Sequence, residues 1–284
     1  MANAAAQVGF RPVHEAHAIE HLLATIHFDR PLDDNGIRTA IELMAHFQVE
    51  LPGRSEIRGM GFQIGPQGVM PLMQAGPTEV PDGLVRFLSD GRGVMIKELR
   101  IDRQSIVFRT QAYTRWDAVW REARGYIQAL LPRLGVANLS AYSLAYVDKF
   151  IWTGPPGSAQ PASLFRSDSP YVASKSFQAT DLWHCHTGRF EVASAEVKRL
   201  EAVNIDCADE QDEAGQPQRV VRISTTITEV FNQPGFTPHK VNGEEALPML
   251  DRAFPELHRV LKGVFSQIVS DAVAAQVGLD VHAS

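Results

Sequence analysis

Between Thr114 and Leu134 the apolar residues Trp116, Val119, Trp120, Ala123, Ile127, Leu130, Leu131 and Leu134 recur at three- and four-residue steps and form one broad helical stripe. A stripe so wide and so aromatic has to be buried against a large apolar surface. The sequence offers one immediately upstream. Leu84 to Leu88, Val94 to Leu99 and Ser105 to Tyr113 read as strands of a meander, with Asp90-Gly91 as a hairpin dipeptide and Asp102-Arg103-Gln104 as the second turn. Thr114, followed by Asp117 three residues later, approximates a capping box that starts the helix.

The flanking segments extend this pattern in both directions. Ile19 to Phe28 reads as a strand, and Pro31 to Gly36 supplies turn and helix-start chemistry. Ile37, Ala40, Ile41, Met44 and Phe47 then mark a helix that Gly53 ends. Ile57 to Ile64 is a weaker strand, and Pro66 to Pro81 a Gly/Pro-rich connection. After the long helix, Asn138 to Trp152 is a long strand, and Gly154-Pro155-Pro156-Gly157-Ser158 has the composition of a linker. A short helical piece near Leu164 precedes strands near Phe177, Leu182 to Val192, Glu196 to Cys207 and Val220 to Phe231. The final helix runs from Glu244 to about Val277, with Leu250, Phe254, Leu257, Leu261, Val264, Phe265 and Ile268 on its apolar side. Pro248 suits its first turn, and Pro255 predicts a kink or an interruption.

Written as elements, the halves are β-α-β-β-β-β-α and β-(α)-β-β-β-β-α. That is the order of the TATA-box-binding-like or helix-grip arrangement, in which a curved antiparallel sheet wraps a long helix. The expected fold class is therefore α+β, with one or more curved antiparallel sheets, long packed helices and two such units at residues 1–137 and 138–284. The same elements also build one larger α+β sheet without duplication. At 284 residues and 44% hydrophobic content, the chain has enough apolar material for a core in either arrangement.

Charge and cysteine content narrow the partners. The net charge is −6. Up to Gly157 there are 16 Lys+Arg and 16 Asp+Glu; beyond it there are 11 and 17, so the imbalance lies in the second half. Asp206, Asp209, Glu210, Asp212 and Glu213 concentrate it in a stretch that reads as a solvated hairpin loop closed by Gly215 and Pro217, out of register for a calcium-binding EF-hand loop. Without a basic stripe, nucleic-acid binding lacks its main source of affinity; Arg115, Arg121 and Arg124 have the spacing of an ordinary solvated helix face, diluted by Glu122. Cys185 and Cys207 have no CxxC spacing and read as reduced core residues. No apolar run approaches the roughly 18 residues of a membrane span, and the first residues carry no export signal, so the expected location is cytoplasmic.

Three stretches resemble an uncharacterised bacterial family known as sporadically distributed proteins, of about this length. They are His14 to Asp29 (HEAHAIEHLLATIHFD), Tyr113 to Trp120 (YTRWDAVW) leading to Leu144 to Ile151 (LAYVDKFI), and Leu250 to Phe265 (LDRAFPELHRVLKGVF). These are packing patterns rather than chemical signatures. The resemblance implies a bacterial cytoplasmic protein, with a patchy distribution that suggests defence or toxin–antitoxin neighbourhoods, and it carries no catalytic residues across.

The sharpest chemical feature is His184-Cys185-His186. On a strand the two imidazoles share a face and can reach one metal, with Glu191 or Asp181 as a third ligand. The alternative is a pair of solvent-facing histidines with Cys185 turned inward. His14, His17 and His21 have helical spacing but lead into a strand-like run, and Trp116, Trp120 and Tyr126 fit either a cavity lining or helix core. Gly59-Met60-Gly61 and Gly65-Pro66-Gln67-Gly68 match neither a phosphate loop nor a dinucleotide fingerprint, and no nucleophile elbow or zinc-protease helix occurs. The expectation is a non-catalytic binding or assembly protein without a cofactor, holding a protein partner or an apolar ligand on the sheet or beneath the gripping helix. A metal-dependent enzyme centred on His184 and His186 is the alternative, and a nucleic-acid-binding protein the third reading.

Overall fold

The structure, a computed structural model, describes residues 8–58, 62–65, 68–71, 80–136, 138–238, 240–241 and 243–279. It is a mixed α and β fold with a large antiparallel sheet of ten strands. In chain order the elements are β1 (Phe10–Pro12), β2 (Ile19–Phe28), α1 (Asp34–Met44), β3 (Gly53–Ile57), β4 (Phe62–Gly65), β5 (Gly68–Pro71), β6 (Gly83–Ser89), β7 (Met95–Asp102), β8 (Ser105–Thr110), α2 (Trp116–Leu130), β9 (Leu139–Trp152), β10 (Trp183–Val192), β11 (Val197–Gln211), β12 (Pro217–Phe231), α3 (Gly243–Ser266) and α4 (Asp271–Gln276). The sheet runs β10-β11-β12-β9-β2-β8-β7-β6-β3 with β1 added to β9, while β4 and β5 form a separate ribbon. The chain divides into two compact units, one of Met1–Leu23, Ser143–Thr237 and Arg252–Ser284, the other of Ala24–Tyr142 and Pro238–Asp251. These boundaries differ from a division after residue 137, because β2, β9 and α3 each supply residues to both units.

In the unit centred on Ala24–Tyr142, the meander β6-β7-β8 forms, with Leu84, Leu99, Ile101, Ile106 and Phe108 buried. Its first turn is longer than a two-residue Asp-Gly hairpin. Asp90 Oδ1 accepts from the backbone N–H groups of Arg92 and Val94 at 2.9 Å each, and Gly93, not Gly91, takes the left-handed φ of 83°. The helix after the meander begins at Trp116 with Arg115 as its N-cap and no side-chain cap, so Thr114 falls one position outside. Its stripe is buried as expected: Tyr126 packs edge-on against Phe47 with ring centroids 4.9 Å apart and lies 5.8 Å from Phe108. Trp116 stacks on Trp120 at 5.9 Å, and Trp120 and Tyr126 are buried, which makes this aromatic group part of the core. Helix α1 is capped by Asp33, whose carboxylate accepts from Gly36 N–H at 2.7 Å.

In the other unit, β11 and β12 form a long hairpin whose side chains alternate. Val203, Ile205 and Cys207 on one strand and Val221, Ile223 and Ile227 on the other are buried, and the first five join Phe150, Phe165, Phe265 and Ile268 in one core. Three expectations are corrected here. The region around Phe177 is not a strand: Ser174–Gln178 is a single 3₁₀ segment, and Phe177 reaches the core from it by packing edge-on against Phe165. The second half therefore has one strand fewer than the repeated order requires. The acidic stretch is not one loop, since the strands extend to Gln211 and resume at Pro217; Asp209 pairs with the buried Arg219, and Glu210 with Lys149 and Arg222. Finally, α3 runs unbroken through Pro255, and the interruption falls at Gln267–Ser270, after which Ser270 caps α4. The Pro66–Pro81 connection also contains the strand β5.

Candidate functional site

Strand β9 determines the site by its alternation. Tyr146, Asp148 and Phe150 point to one face, while Lys149 points to the other, where its ammonium pairs with Glu210 at 2.8 Å and Glu20 at 3.5 Å. In the sheet β9 lies between β12 and β2. Across its inner face, His258, Leu261, Lys262 and Phe265 of α3 stand at steps of three, four and seven residues, which places them on one helical stripe. Sheet and helix enclose a cleft of about 60 Å³, completed by Ile19 from β2 and Thr225 from β12.

Asp148 is the residue in this cleft that packing does not explain. It is only 5% exposed, and its side chain makes no hydrogen bond or ion pair with any described residue. Removal from water, with no compensating charge, pushes its carboxyl up to about 8. At neutral pH the group is therefore protonated and able to donate as well as accept. Other buried acids of this unit are satisfied. Glu201 accepts from the Tyr171 hydroxyl at 2.8 Å and from Arg189 Nε at 2.9 Å, and Glu229 accepts from Arg199 Nε at 3.0 Å.

The neighbours of Asp148 are polar groups at the edges of an apolar slot. The Tyr146 hydroxyl and His258 Nδ1 are hydrogen-bonded at 2.8 Å. Thr225, 1% exposed, and the half-buried Lys262 present side chains without a hydrogen bond or ion pair to any described residue. Ile19, Leu261 and Phe265 form the apolar walls. The volume equals the liquid share of about two water molecules at roughly 30 Å³ each, enough for the head group of a ligand. A larger cleft of about 350 Å³ lies at the start of α1 in the other unit. Its polar groups are already used or solvated: Asp33 caps the helix, and Arg30 and Arg133 are exposed.

The sequence candidates lie elsewhere. His184 and His186 share the exposed face of β10, and Cys185 is buried, as strand alternation requires. His184 Nδ1 lies 3.5 Å from Asp206 Oδ1 on the paired strand. Glu191 is on the opposite face of β10, 3.5 Å from Arg199, and Asp181 caps Leu182 N–H at 2.7 Å. Among the described residues, no group of three or more His, Cys, Asp or Glu is arranged to hold a metal ion. His14 and His17 meet in a turn with ring centroids 4.7 Å apart, whereas His21 is on β2. Arg124 is bound by Asp251 through two hydrogen bonds of 2.6 and 2.8 Å, which takes it out of any basic stripe. The Gly59–Gly61 motif, and Pro66-Gln67 of the second glycine motif, lie outside the described residues.

Asp148, Tyr146, Thr225, His258 and Lys262 were not singled out by motif. One signal was present: Asp148 interrupts the inward series Tyr142, Leu144, Tyr146, Phe150 and Trp152. Comparison of the chain with protein-family models finds no match, and neither does comparison with curated protein sequences. Among the described residues no helix is long and apolar enough to cross a membrane.

Proposed function

We propose that this is a binding protein whose site is the cleft between α3 and the strands β2, β9 and β12, and that its ligand is a small molecule with an apolar body. The observation that carries this reading is Asp148, a nearly fully buried carboxyl that has no hydrogen-bond or ion-pair partner among the described residues and lines an open cleft. Holding a carboxyl in a largely apolar slot costs free energy, and a fold selected for packing alone gains nothing from it. A ligand group that hydrogen-bonds to the carboxyl removes the cost. One helix, α3, lying over three neighbouring strands supports the holding of a small ligand there. An extended protein partner fits poorly in a slot this small.

Amide NMR spectra of the full chain, recorded against a library of small-molecule fragments, test the reading. Apolar fragments with one polar end are expected to shift the signals of His258, Leu261 and Phe265, and to leave them unmoved in Asp148→Leu, where the larger side chain fills the slot. Fragments that bind only at other surfaces would overturn it.

A further inference from the structure

The sheet ends on two strands that are finished differently. β3 is five residues long and carries Arg54 and Glu56, whose side chains pair with each other at 2.8 Å. Short, charged edges of this kind resist pairing with another chain. β10, at the other end, runs for ten residues in unbroken register with β11, without proline, lysine or a bulge. Its outer edge has no main-chain hydrogen-bond partner among the described residues. Phe190 and Val192, 61% and 72% exposed, stand on one face of it, and the Lys198 ammonium, 4.6 Å from the centre of the Phe190 ring, covers that ring only in part. We propose that this edge is an interface: β10 pairs antiparallel with β10 of a second copy of the chain, about a twofold axis through Phe190, and joins the two sheets.

Backbone and charge both select that register. Along a strand alternate residues turn their main-chain groups outwards, and the same residues do so in both copies. Residues that face each other across the axis are therefore an even number of positions apart, which puts the axis through a residue and not between two. Arg189 and Glu191 share the face of β10 opposite Phe190. An axis through Arg189 or Glu191 sets like charges against each other, and one through Gly188 or Thr187 leaves Glu191 facing Cys185 or Trp183. An axis through Phe190 sets each Arg189 opposite the partner's Glu191. Opposite charges directly across an antiparallel pair favour it, and like charges oppose it.

These two charges are the free ends of ion rows that cross the sheet. Arg189 faces Glu201 on β11, with Nε donating to the carboxylate at 2.9 Å. Glu191 faces Arg199, 3.5 Å away, and Arg199 Nε in turn donates to Glu229 on β12 at 3.0 Å. One row thus ends on a cation and the other on an anion, and both ends are open to solvent. Across the axis they join with alternating sign: Glu201, Arg189, the partner's Glu191, the partner's Arg199 and the partner's Glu229. On the other face Phe190 meets the partner's Phe190, and Val192 lies opposite the partner's Gly188, so the two most exposed apolar side chains of the strand are drawn out of water. An unrelated peptide would have to supply both a matching acid and a matching base, whereas a second copy has them in place. Direct pairing covers Gly188–Val192, fewer residues than the roughly 20–30 a side of a standard interface, so the dimer is weak and forms on concentration.

Sedimentation velocity of the full chain between about 5 and 500 µM tests this. The wild type is expected to pass from monomer to dimer across that range. Phe190→Lys and Phe190→Glu, at an exposed position, should each keep the wild-type circular dichroism spectrum and stay monomeric, because each sets like charges at the axis. Mixed in equal amounts the two variants should dimerise, since a lysine then faces a glutamate. Glu191→Arg turns two attractions into repulsions and should weaken dimerisation of the wild-type sequence about tenfold. A wild type that stays monomeric throughout would overturn the proposal, as would a dimer that persists in both Phe190 variants or is indifferent to Glu191→Arg. Variants that remain monomeric when mixed would show that Phe190 does not face its own copy, and would overturn it too.

Discussion

Replacing Asp148 by asparagine should stabilise the protein, by an amount that grows with pH. The folded-state carboxyl titrates at about 8, against an ordinary value of 3.8 in the unfolded chain. Below 3.8 both states hold the proton, and the group makes no pH-dependent contribution. Between 3.8 and 8 only the unfolded state releases it, so each pH unit costs the folded state about 1.4 kcal/mol. At pH 7 the wild type therefore carries about 4 kcal/mol of destabilisation from this one side chain, a large fraction of the roughly 5–15 kcal/mol that holds a typical domain folded. Asparagine keeps the shape and the polarity but has no proton to lose. Urea unfolding of both proteins at pH 4, 5, 6 and 7 measures the difference directly. The expected result is near-equal stability at pH 4 and a gap that widens by about 1.4 kcal/mol per unit above it. A gap that is constant with pH, or a less stable Asp148→Asn at pH 7, would mean that the carboxyl is ionised in the fold and that the cleft solvates or pairs it.

Three further perturbations probe the surroundings. Leu261→Asp puts a carboxylate at a position that is 2% exposed, and should lower unfolding stability by several kcal/mol in urea titration; an unchanged midpoint would mean that the α3 face is not packed. Burial raises the carboxyls of Glu20 and Glu210, but hydrogen bonds from Arg222 to both acids and from Lys149 to Glu210 outweigh it and hold both below the usual range. Their contribution to stability is therefore complete above about pH 4.5 and lost as pH falls through the lowered folded values, and Glu20→Gln with Glu210→Gln should flatten that acid limb of the stability curve. Replacing Asp212–Gln216 by a two-residue Asn-Gly turn should leave the melting temperature unchanged within about 2 °C, whereas Asp209→Ala removes the half-exposed carboxylate paired with Arg219 and should cost about 1 kcal/mol.

Periodicity made the stripe of α2, the meander and the long hairpin legible because each is decided by neighbours a few residues apart. It also placed His184 and His186 on one strand face and Cys185 on the other. It could not say which face the rest of the chain covers. The core on the inner face of β10, β11 and β12 is completed by Phe165 and Phe265, residues from distant segments, and their packing leaves the two histidines in solvent. The same reasoning explains Phe177, read from the sequence as lying in a strand, whose ring reaches the core from a 3₁₀ segment. The site was hidden for a related reason. Asp148 and Lys149 are adjacent in a long apolar strand, and strand alternation sends those two charges to opposite faces. Lys149 reaches Glu20 and Glu210, but Asp148 has only α3 above it, more than a hundred residues further along the chain. There Lys262 sits between Leu261 and Phe265 at the edge of an apolar stripe, where a lysine ordinarily extends its charge to water. Only the pairing of β9 with α3 turns an isolated carboxyl and a peripheral lysine into two walls of one cleft. A charged residue that breaks the inward series of a central strand is therefore the feature to pursue in a chain without motifs, because an apolar residue at that position would pack without the cost of desolvating a carboxyl.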